Sequence, residues 1–310
     1  MMTASDSKRW LWWLLPVLPV MLVLYYGIGM GLAHVIDDDP DYGPGPVGPT
    51  QSRAVALAAR LILREVDEHK WVANDPFFNP SWALDNMPAY QTGIIAAIAS
   101  FTNQLAGQNP DNGDTDAELA RAAGFLKYPG TIWKFDSRTS WAPTASSEKQ
   151  YRAAARNLLV YNERLSSGDA HPQRDAAALA AVLRHLGAAM DAGANRLDAH
   201  LATPRWALFD TQADDMFYNA KGRAYAQSLI LRELGWDFAQ VISQHDLGDD
   251  WQAMLATLRQ AASLEPLVVI AGQDDSTFLP NHLANQGFRL LQARTRLAKV
   301  AAALASRNEH

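Results

Sequence analysis

A run of apolar residues near the N-terminus constrains this chain more than any other feature. The stretch from Trp10 to Ala33, WLWWLLPVLPVMLVLYYGIGMGLA, contains 24 residues and no charge. As an α-helix it would be roughly 36 Å long, which exceeds the roughly 30 Å of a bilayer's hydrocarbon core. A cleaved signal peptide ending at Ala33 is the alternative, but its apolar region usually runs only about 7–15 residues. The sequence therefore predicts a transmembrane helix over residues 10–34.

The positive charges around this run predict its orientation. Lys8 and Arg9 precede it, and the next lysine or arginine is Arg53. Because positive residues are retained on the cytoplasmic side, we expect residues 1–9 in the cytoplasm and the rest of the chain on the other side of the bilayer.

Two glycines within the run are spaced for helix packing. Gly27 and Gly31 form a G-x-x-x-G pair, which lets two membrane helices approach closely. We therefore expect two partners for this segment, the lipid bilayer and a second copy of the chain in a homodimer.

An acidic segment rich in glycine and proline follows, over residues 35–50. It contains the sequence DDDPDYGPGPVGP, in which repeated proline denies the backbone helical hydrogen bonding. Proline-rich linkers favour an extended path of about 3.1 Å per residue. The composition predicts a linker that holds the following domain roughly 40 Å from the bilayer.

Helical periodicity dominates the remainder, residues 51–310. Apolar residues recur at helical spacing at Val55, Ala59, Ile62 and Val66, and again at Ile94, Ile98, Phe101 and Leu105. Further helical patterns are centred near residues 122, 157, 187, 228, 257 and 293. The segment PLVVIAG, residues 266–272, has a strand-like composition, but one strand cannot form a sheet, so we interpret it as a connector. The fold class is therefore predicted to be all-α, a multi-helix bundle of one large or two abutting halves.

The last helical pattern carries leucines seven residues apart, at Leu283, Leu290, Leu297 and Leu304. The alternate core positions hold glycine, arginine and alanine, which is poor for a free-standing coiled coil. We expect these leucines to form a seam inside the bundle.

Composition excludes several classes of function. The net charge is −6 and no basic stripe with interleaved aromatic residues is present, so nucleic acid is not an expected partner. The absence of cysteine removes disulfides, thiolate metal sites and thiol nucleophiles. The eight histidines are scattered singly, so we predict no metal site and no cofactor. The motifs H-E-x-x-H and G-x-S-x-G and the phosphate-binding glycine loop are also missing.

One unusual polar stretch is WVANDPFFNPSWALDNMPAYQTG, residues 71–93. Asp75 and Asp85 are weak catalytic candidates there, and the ligand or network candidates are Asn74, Asn86 and Gln91. Helix capping by Asp85 or Asn86 is a structural alternative. We expect Phe77, Phe78 and Trp82 to anchor this loop.

Two further clusters place polar residues inside apolar helical patterns. In DDMFYNAKGRAYA, Asp214, Tyr218 and Lys221 share a helix face, with Asp215 as a third weak catalytic candidate. In LPNHLANQG the candidates are Asn281, His282 and Asn285. Such residues form either a buried hydrogen-bond network or a ligand site. We expect the three polar blocks to converge in space.

Three long blocks resemble an uncharacterised bacterial family, the domain of unknown function numbered 2333. They are residues 71–93, residues 214–226 and LVVIAGQDDSTFLPNHLANQGFRLLQARTRL. The resemblance extends over nearly the whole chain, including the apolar run. It implies a bacterial membrane-anchored protein and brings no activity, fold or catalytic residues. In a two-membrane envelope the helical domain would then lie in the periplasm.

These features predict a non-catalytic inner-membrane protein whose helical domain binds a partner protein or an envelope polymer. One alternative is a hydrolase of cell-wall glycan that uses two aspartates, one as general acid and one as base or nucleophile. A second alternative is a structural envelope protein that self-associates through Gly27, Gly31 and the last helix.

Overall fold

A computed structural model describes residues 6–107, 115–135, 142–201, 211–264 and 282–306. These residues form ten α-helices and no strand, so the prediction of an all-α fold is confirmed for them. In chain order the helices are α1 (Asp6–Ala33), α2 (Arg53–Leu63), α3 (Asn86–Ala106), α4 (Ala117–Leu126), α5 (Ser147–Ser167), α6 (Ala176–Leu201), α7 (Thr211–Asp237), α8 (Ala239–Gln244), α9 (Gly248–Ala262) and α10 (His282–Ser306). A π-helical turn (Arg64–Glu68) continues α2, and a 3-10 helix (Pro80–Ala83) precedes α3.

Polar side chains fix the starts of several helices. Asp85 caps α3 by accepting a hydrogen bond from the Asn86 amide at 2.9 Å. Asp116 accepts from the Glu118 and Leu119 amides at the start of α4. Such caps satisfy backbone donors that have no partner inside the helix.

Helix α7 lies at the centre of the bundle. It packs on α2 and α3 on one side and on α9 and α10 on the other, and its strongest contact is with α3. Its middle is buried on nearly all sides, with apolar residues such as Ala224, Leu229 and Ile230 beside the polar Gln227 and Ser228. The buried residues of all the helices of the body form one continuous cluster rather than two.

The leucine seam of the last helix is confirmed in its described part. Leu290, Leu297 and Leu304 are buried, and α10 packs on α6 and α9. The side chain of Leu283 and the connector at 266–272 lie outside the described residues.

The segment after α1 does not act as a spacer. Arg64 forms an ion pair with the Asp37 carboxylate at 3.3 Å, and Lys221 pairs with Asp38 at 2.8 Å. The hydroxyls of Tyr90 and Tyr225 donate to the carbonyls of Asp37 and Asp39. The prediction that this segment holds the body about 40 Å from the bilayer is therefore wrong. Side chains of α2, α3 and α7 donate hydrogen bonds to its backbone carbonyls, as Arg60 does to Gly43 and Arg232 to Pro40.

Helix α1 extends from the body and contacts it chiefly through the 3-10 helix. Its side chains from Val17 to Leu32 are mostly apolar and exposed. In the described part of the chain, no helix combines the length and the apolar character needed to cross a membrane. The side chains of residues 6–16 lie outside the described residues.

Candidate functional site

Gln91, a ligand or network candidate of the first polar block (residues 71–93), is part of a buried hydrogen-bond network. Its side chain is fully buried and accepts a hydrogen bond from the Val72 amide at 3.1 Å. It also donates to the carbonyls of Glu65 and Lys70 at 3.1 and 2.9 Å. Lys70 has a positive φ of 62°, which is unusual for a residue with a side chain. Gln91 therefore holds a strained turn against α3 and offers no free group to a ligand.

Asn74 and Asp75 also hold the loop together. The Asn74 amide donates to the Ile132 carbonyl and to the Glu148 carboxylate, both at 2.8 Å. Asp75 accepts hydrogen bonds from Asn79 and Ser81 within its own turn. It lines a cavity of about 360 Å³ beside the end of α1, separate from the cleft described below.

Lys221 and Tyr218 do not join the aspartates that share their helix face. Lys221 is buried, where it pairs with Asp38 and donates to the Leu264 carbonyl at 3.0 Å. Tyr218 packs edge-on against Phe217. Both residues therefore serve the packing of the bundle.

The third polar block is directed elsewhere in its described part. Gln286 is buried and donates to the Ala261 carbonyl of α9, and Asn285 is exposed. Asn281 and the side chain of His282 lie outside the described residues. The first and second blocks meet, and that the third joins them stays a prediction.

The first two blocks meet where α3 crosses α7. A Cβ atom placed on Gly93 would lie 2.3 Å from the Asn219 carbonyl oxygen, and one on Gly222 would lie 2.2 Å from that of Tyr90. No side chain fits at either position, so two glycines allow the backbones to touch. This close crossing fixes the relative position of the polar residues on both helices.

A cleft of about 530 Å³ opens beside the crossing, between α3, α6 and α7. Three of its polar residues, Asp215, Asn219 and Arg223, lie four apart on α7 and so share one face. Asp85 contributes from the start of α3 and Arg196 from α6. Asp215 and Arg223 are separated by two turns, about 12 Å along the helix. The cleft therefore has an acidic end and a basic end.

At the acidic end, the Asn86 side chain lies between two carboxylates. With its amide oriented so that the nitrogen donates, Asn86 hydrogen-bonds to Asp214 at 2.7 Å and to Asp85 at 3.2 Å. Burial raises the pKa of Asp214 to about 6, helped by the negative charges of Asp85 and Asp215. Burial and Asp85 also raise the pKa of Asp215. Like charges close together disfavour ionisation, so this end of the cleft favours a proton, a hydrogen-bond donor or a cation.

At the basic end, the guanidinium groups of Arg196 and Arg223 lie close enough for their charges to interact. Arg223 donates to the Asn219 side-chain oxygen at 2.8 Å, and the Asn219 amide donates to the Thr92 hydroxyl of α3 at 3.2 Å. Burial and the positive charge of Arg196 lower the pKa of Arg223 to about 10. Within the described ranges, neither Arg196 nor Arg223 forms an ion pair. This end of the cleft therefore presents uncompensated positive charge, which favours an anionic group.

Arg196, Asn219 and Arg223 were not among the residues predicted from the sequence. The i, i+4, i+8 spacing of Asp215, Asn219 and Arg223 was a usable signal, because it places three polar residues on one helix face. Arg196 offered none, since it comes from a different helix. Within the described ranges, no group of three or more histidine, aspartate or glutamate side chains is arranged to hold a metal ion.

Comparison with known proteins assigns the chain to a family but assigns it no activity. The family model described as "Uncharacterized protein conserved in bacteria (DUF2333)" matches residues 37–199, more than half of the chain. The chain belongs to this family. The match begins at Asp37, the first residue of the docked segment, and ends within α6, so it includes Asp85 and Arg196. No curated protein and no solved structure matches the sequence.

Proposed function

We propose that this DUF2333 protein is a single-pass protein of the bacterial inner membrane whose helical body binds an envelope polymer or a partner protein. In this proposal α1 crosses the bilayer, residues 1–9 lie in the cytoplasm and the body lies in the periplasm. The uncharged run from Trp10 to Ala33 supports the anchor, as does the exposure of apolar side chains from Val17 to Leu32.

The membrane placement is tested by extraction and by reporter fusion. Alkaline carbonate should leave the full-length protein in the membrane pellet, and a C-terminal alkaline phosphatase fusion should be active. Release of the intact chain by carbonate, or a C-terminal fluorescent reporter that lights up in the cytosol, would contradict it.

The observation that carries the binding proposal is the uncompensated charge of the cleft. Among the described residues, the buried cations Arg64 and Lys221 are paired, Arg64 with Glu65 at 2.8 Å and Lys221 with Asp38 at 2.8 Å. Arg223 is partly buried and forms no ion pair within the described ranges, which is costly and makes it a candidate for a functional site rather than for stabilisation. The exposed Arg196 lines the same cleft. The matching ligand carries an anionic group for the arginines and, about 12 Å away, a donor or cationic group for the aspartates.

Capture from envelope extract tests this cleft directly. Full-length protein in detergent should retain a component that the double variant Arg196→Gln/Arg223→Gln does not. The matched control is Arg156→Gln/Arg259→Gln, which removes two exposed guanidinium groups from α5 and α9. Equal capture by all three proteins would show that the cleft is not the binding site.

A hydrolase of cell-wall glycan is the second candidate, because Asp85, Asp214 and Asp215 lie close enough at the acidic end for their charges to interact. Asp214, with a pKa of about 6, would be the general acid, and Asp85 or Asp215 the base or nucleophile. The full-length protein would then release fragments from purified peptidoglycan, with activity that falls above about pH 6 and is lost in Asp214→Asn. No release of fragments between pH 4 and pH 8 would reject this candidate.

Self-association through α1 is a third candidate. A Cβ atom on Gly27 or Gly31 would meet no atom within 4 Å, so this face of α1 is open in the monomer. Crosslinking in membranes should give a dimer that Gly27→Leu/Gly31→Leu abolishes. An unchanged dimer would exclude this glycine pair as the contact.

A further inference from the structure

Four aromatic side chains form a largely exposed patch beside α1. We call Phe77, Phe78, Trp133 and Phe135 the aromatic patch. Phe77 is 69% exposed, Phe78 and Phe135 are also exposed, and Trp82 of the following 3-10 helix is 59% exposed. The rings of Phe77 and Phe78, Phe78 and Trp133, and Trp133 and Phe135 contact one another, with centroids 5.6, 5.8 and 6.1 Å apart. The expectation that Phe77, Phe78 and Trp82 anchor the loop by burial is therefore wrong.

The aromatic patch is attached to α1 at a defined level. The Tyr25 hydroxyl donates to the Phe78 carbonyl at 3.0 Å, and the Tyr26 hydroxyl donates to the Phe77 carbonyl. One turn further on, a Cβ atom on Gly29 would lie 2.4 Å from the Pro80 ring. Only glycine allows this approach. The patch therefore lies beside the last third of α1 rather than beyond its end.

The attachment to Tyr25 and Tyr26 determines how deep the aromatic patch would lie in a membrane that α1 crosses. Tyr25 precedes Ala33 by eight residues, which is about 12 Å along a helix. The side chains of α1 between them include Ile28 and Leu32, and Leu32 is 77% exposed. The polar interface on each side of a bilayer is only about 5–8 Å thick. If α1 is apolar and membrane-embedded up to its end, the patch lies at the boundary between headgroups and hydrocarbon.

The chemistry of the aromatic patch suits that boundary. Tryptophan and tyrosine are enriched at membrane interfaces because one end of each side chain is apolar and the other is polar. The Lys134 ammonium lies 5.5 Å from the centre of the Trp133 ring, where it can meet anionic headgroups. Contiguous exposed aromatic rings mark a surface that contacts a membrane or another molecule.

We propose that the aromatic patch is a second membrane contact, which inserts into the outer leaflet of the bilayer that α1 crosses and holds the body against the lipid surface. The proposal rests on the membrane anchor proposed above. It also agrees with the docked segment 37–43, which leaves little length to separate the body from α1.

Spin labels on single cysteines test the proposal, because the natural chain has no cysteine. Full-length protein is labelled at Phe78→Cys or Phe135→Cys and reconstituted into liposomes of phosphatidylcholine and phosphatidylglycerol. Leu18→Cys on α1 reports the anchor. Trp236→Cys is the matched control, an aromatic residue that is 66% exposed at the far end of α7.

We expect labels at 78 and 135 to collide several-fold more often with oxygen than with a water-soluble nickel chelate, and the label at 236 to show the reverse. A lipid-like label at 18 with water-like labels at 78 and 135 would overturn the inference and leave the anchor intact. A water-like label at 18 would overturn the anchor and the inference together. Shielding of position 78 from both probes would instead indicate a protein partner or a second copy.

Discussion

Two polar regions on either side of α7 differ in how their charges are compensated. Around segment 37–43, the buried cations Arg64 and Lys221 each have a carboxylate partner. Burial lowers the pKa of Arg64, but Glu65, Tyr225 and Asp37 outweigh it and raise that pKa above its ordinary value. In the cleft, by contrast, Arg223 has a lowered pKa. A polar residue inside an apolar helix can therefore belong either to a structural network or to a binding site. The charged groups that surround it distinguish the two cases.

The largest effect on stability should come from breaking the ion pairs that Arg64 forms around segment 37–43. Arg64→Met leaves Glu65 buried without its arginine partner and removes one of the two side-chain hydrogen bonds to the Asp37 carbonyl, so the free energy of unfolding should fall by about 3–5 kcal/mol. Urea unfolding of the full-length protein in detergent, followed by circular dichroism, measures it. The matched change Arg223→Met should cost less than about 1 kcal/mol, since it also relieves repulsion with Arg196. Equal losses would remove the distinction between the two regions.

The next effect concerns the crossing that shapes the cleft. Gly222→Ala places a methyl group against the Tyr90 carbonyl and should force α3 and α7 apart, at a cost of about 1–3 kcal/mol. Gly187→Ala on α6 is the control, because its Cβ would meet nothing within 4 Å, and should stabilise by about 0.5–1 kcal/mol. Thermal unfolding of both variants measures the difference. A neutral Gly222→Ala would mean that the two backbones do not touch.

A smaller, pH-dependent effect is expected at the acidic end. The pKa of Asp214 is about 6, against an ordinary value of 3.8, so the native state binds more protons than the unfolded state between these values. Stability should therefore fall as pH rises from about 4 to 6. Allowing for solvent screening, Asp214→Asn should gain about 1 kcal/mol at pH 7.5 and nothing below about pH 4.

Urea unfolding at pH 4 and pH 7.5 checks the Asp214→Asn prediction. Asp85→Asn should reproduce part of the gain, because the Asp85 charge raises the pKa of Asp214. A gain that is the same at both pH values would contradict the electrostatic explanation.

The smallest stability effect should come from Asp215. This residue is exposed, so Asp215→Ala should change the free energy of unfolding by less than about 0.5 kcal/mol while it weakens capture from envelope extract. Gln91→Ala should do the reverse, with a loss of about 1–3 kcal/mol and unchanged capture. A stability loss at Asp215 similar to that at Gln91 would place both residues in one structural network.

Much of the fold could be predicted from the sequence, because it depends on local signals. Helical periodicity and the cap at Asp85 fix most helix positions within a few residues. The docking of segment 37–43 could not be predicted, because its partners Lys221 and Tyr225 come from far along the chain. Aromatic composition likewise does not tell whether a ring such as Phe77 faces the core or the surface.

The candidate site was predictable in part. Asp85 and Asp215 do line one cleft, and Asp214 lies with them at its acidic end. Gln91 is a polar residue inside an apolar helix because it holds the strained turn at Lys70, not because it lines the cleft. The pairing of Arg196 with Arg223 depends on how α6 packs beside α7, which no local pattern encodes.

Photo-crosslinking from the rim of the cleft tests the central claim most directly. Thr131→Cys, an exposed residue at this rim, is labelled with a benzophenone in the full-length protein in membranes, with Leu159→Cys on α5 as the control. The account predicts an adduct with an envelope component at 131 that is absent at 159 and disappears when Arg196→Gln and Arg223→Gln are added. The same adducts from both positions, or an adduct that persists without the two arginines, would contradict it.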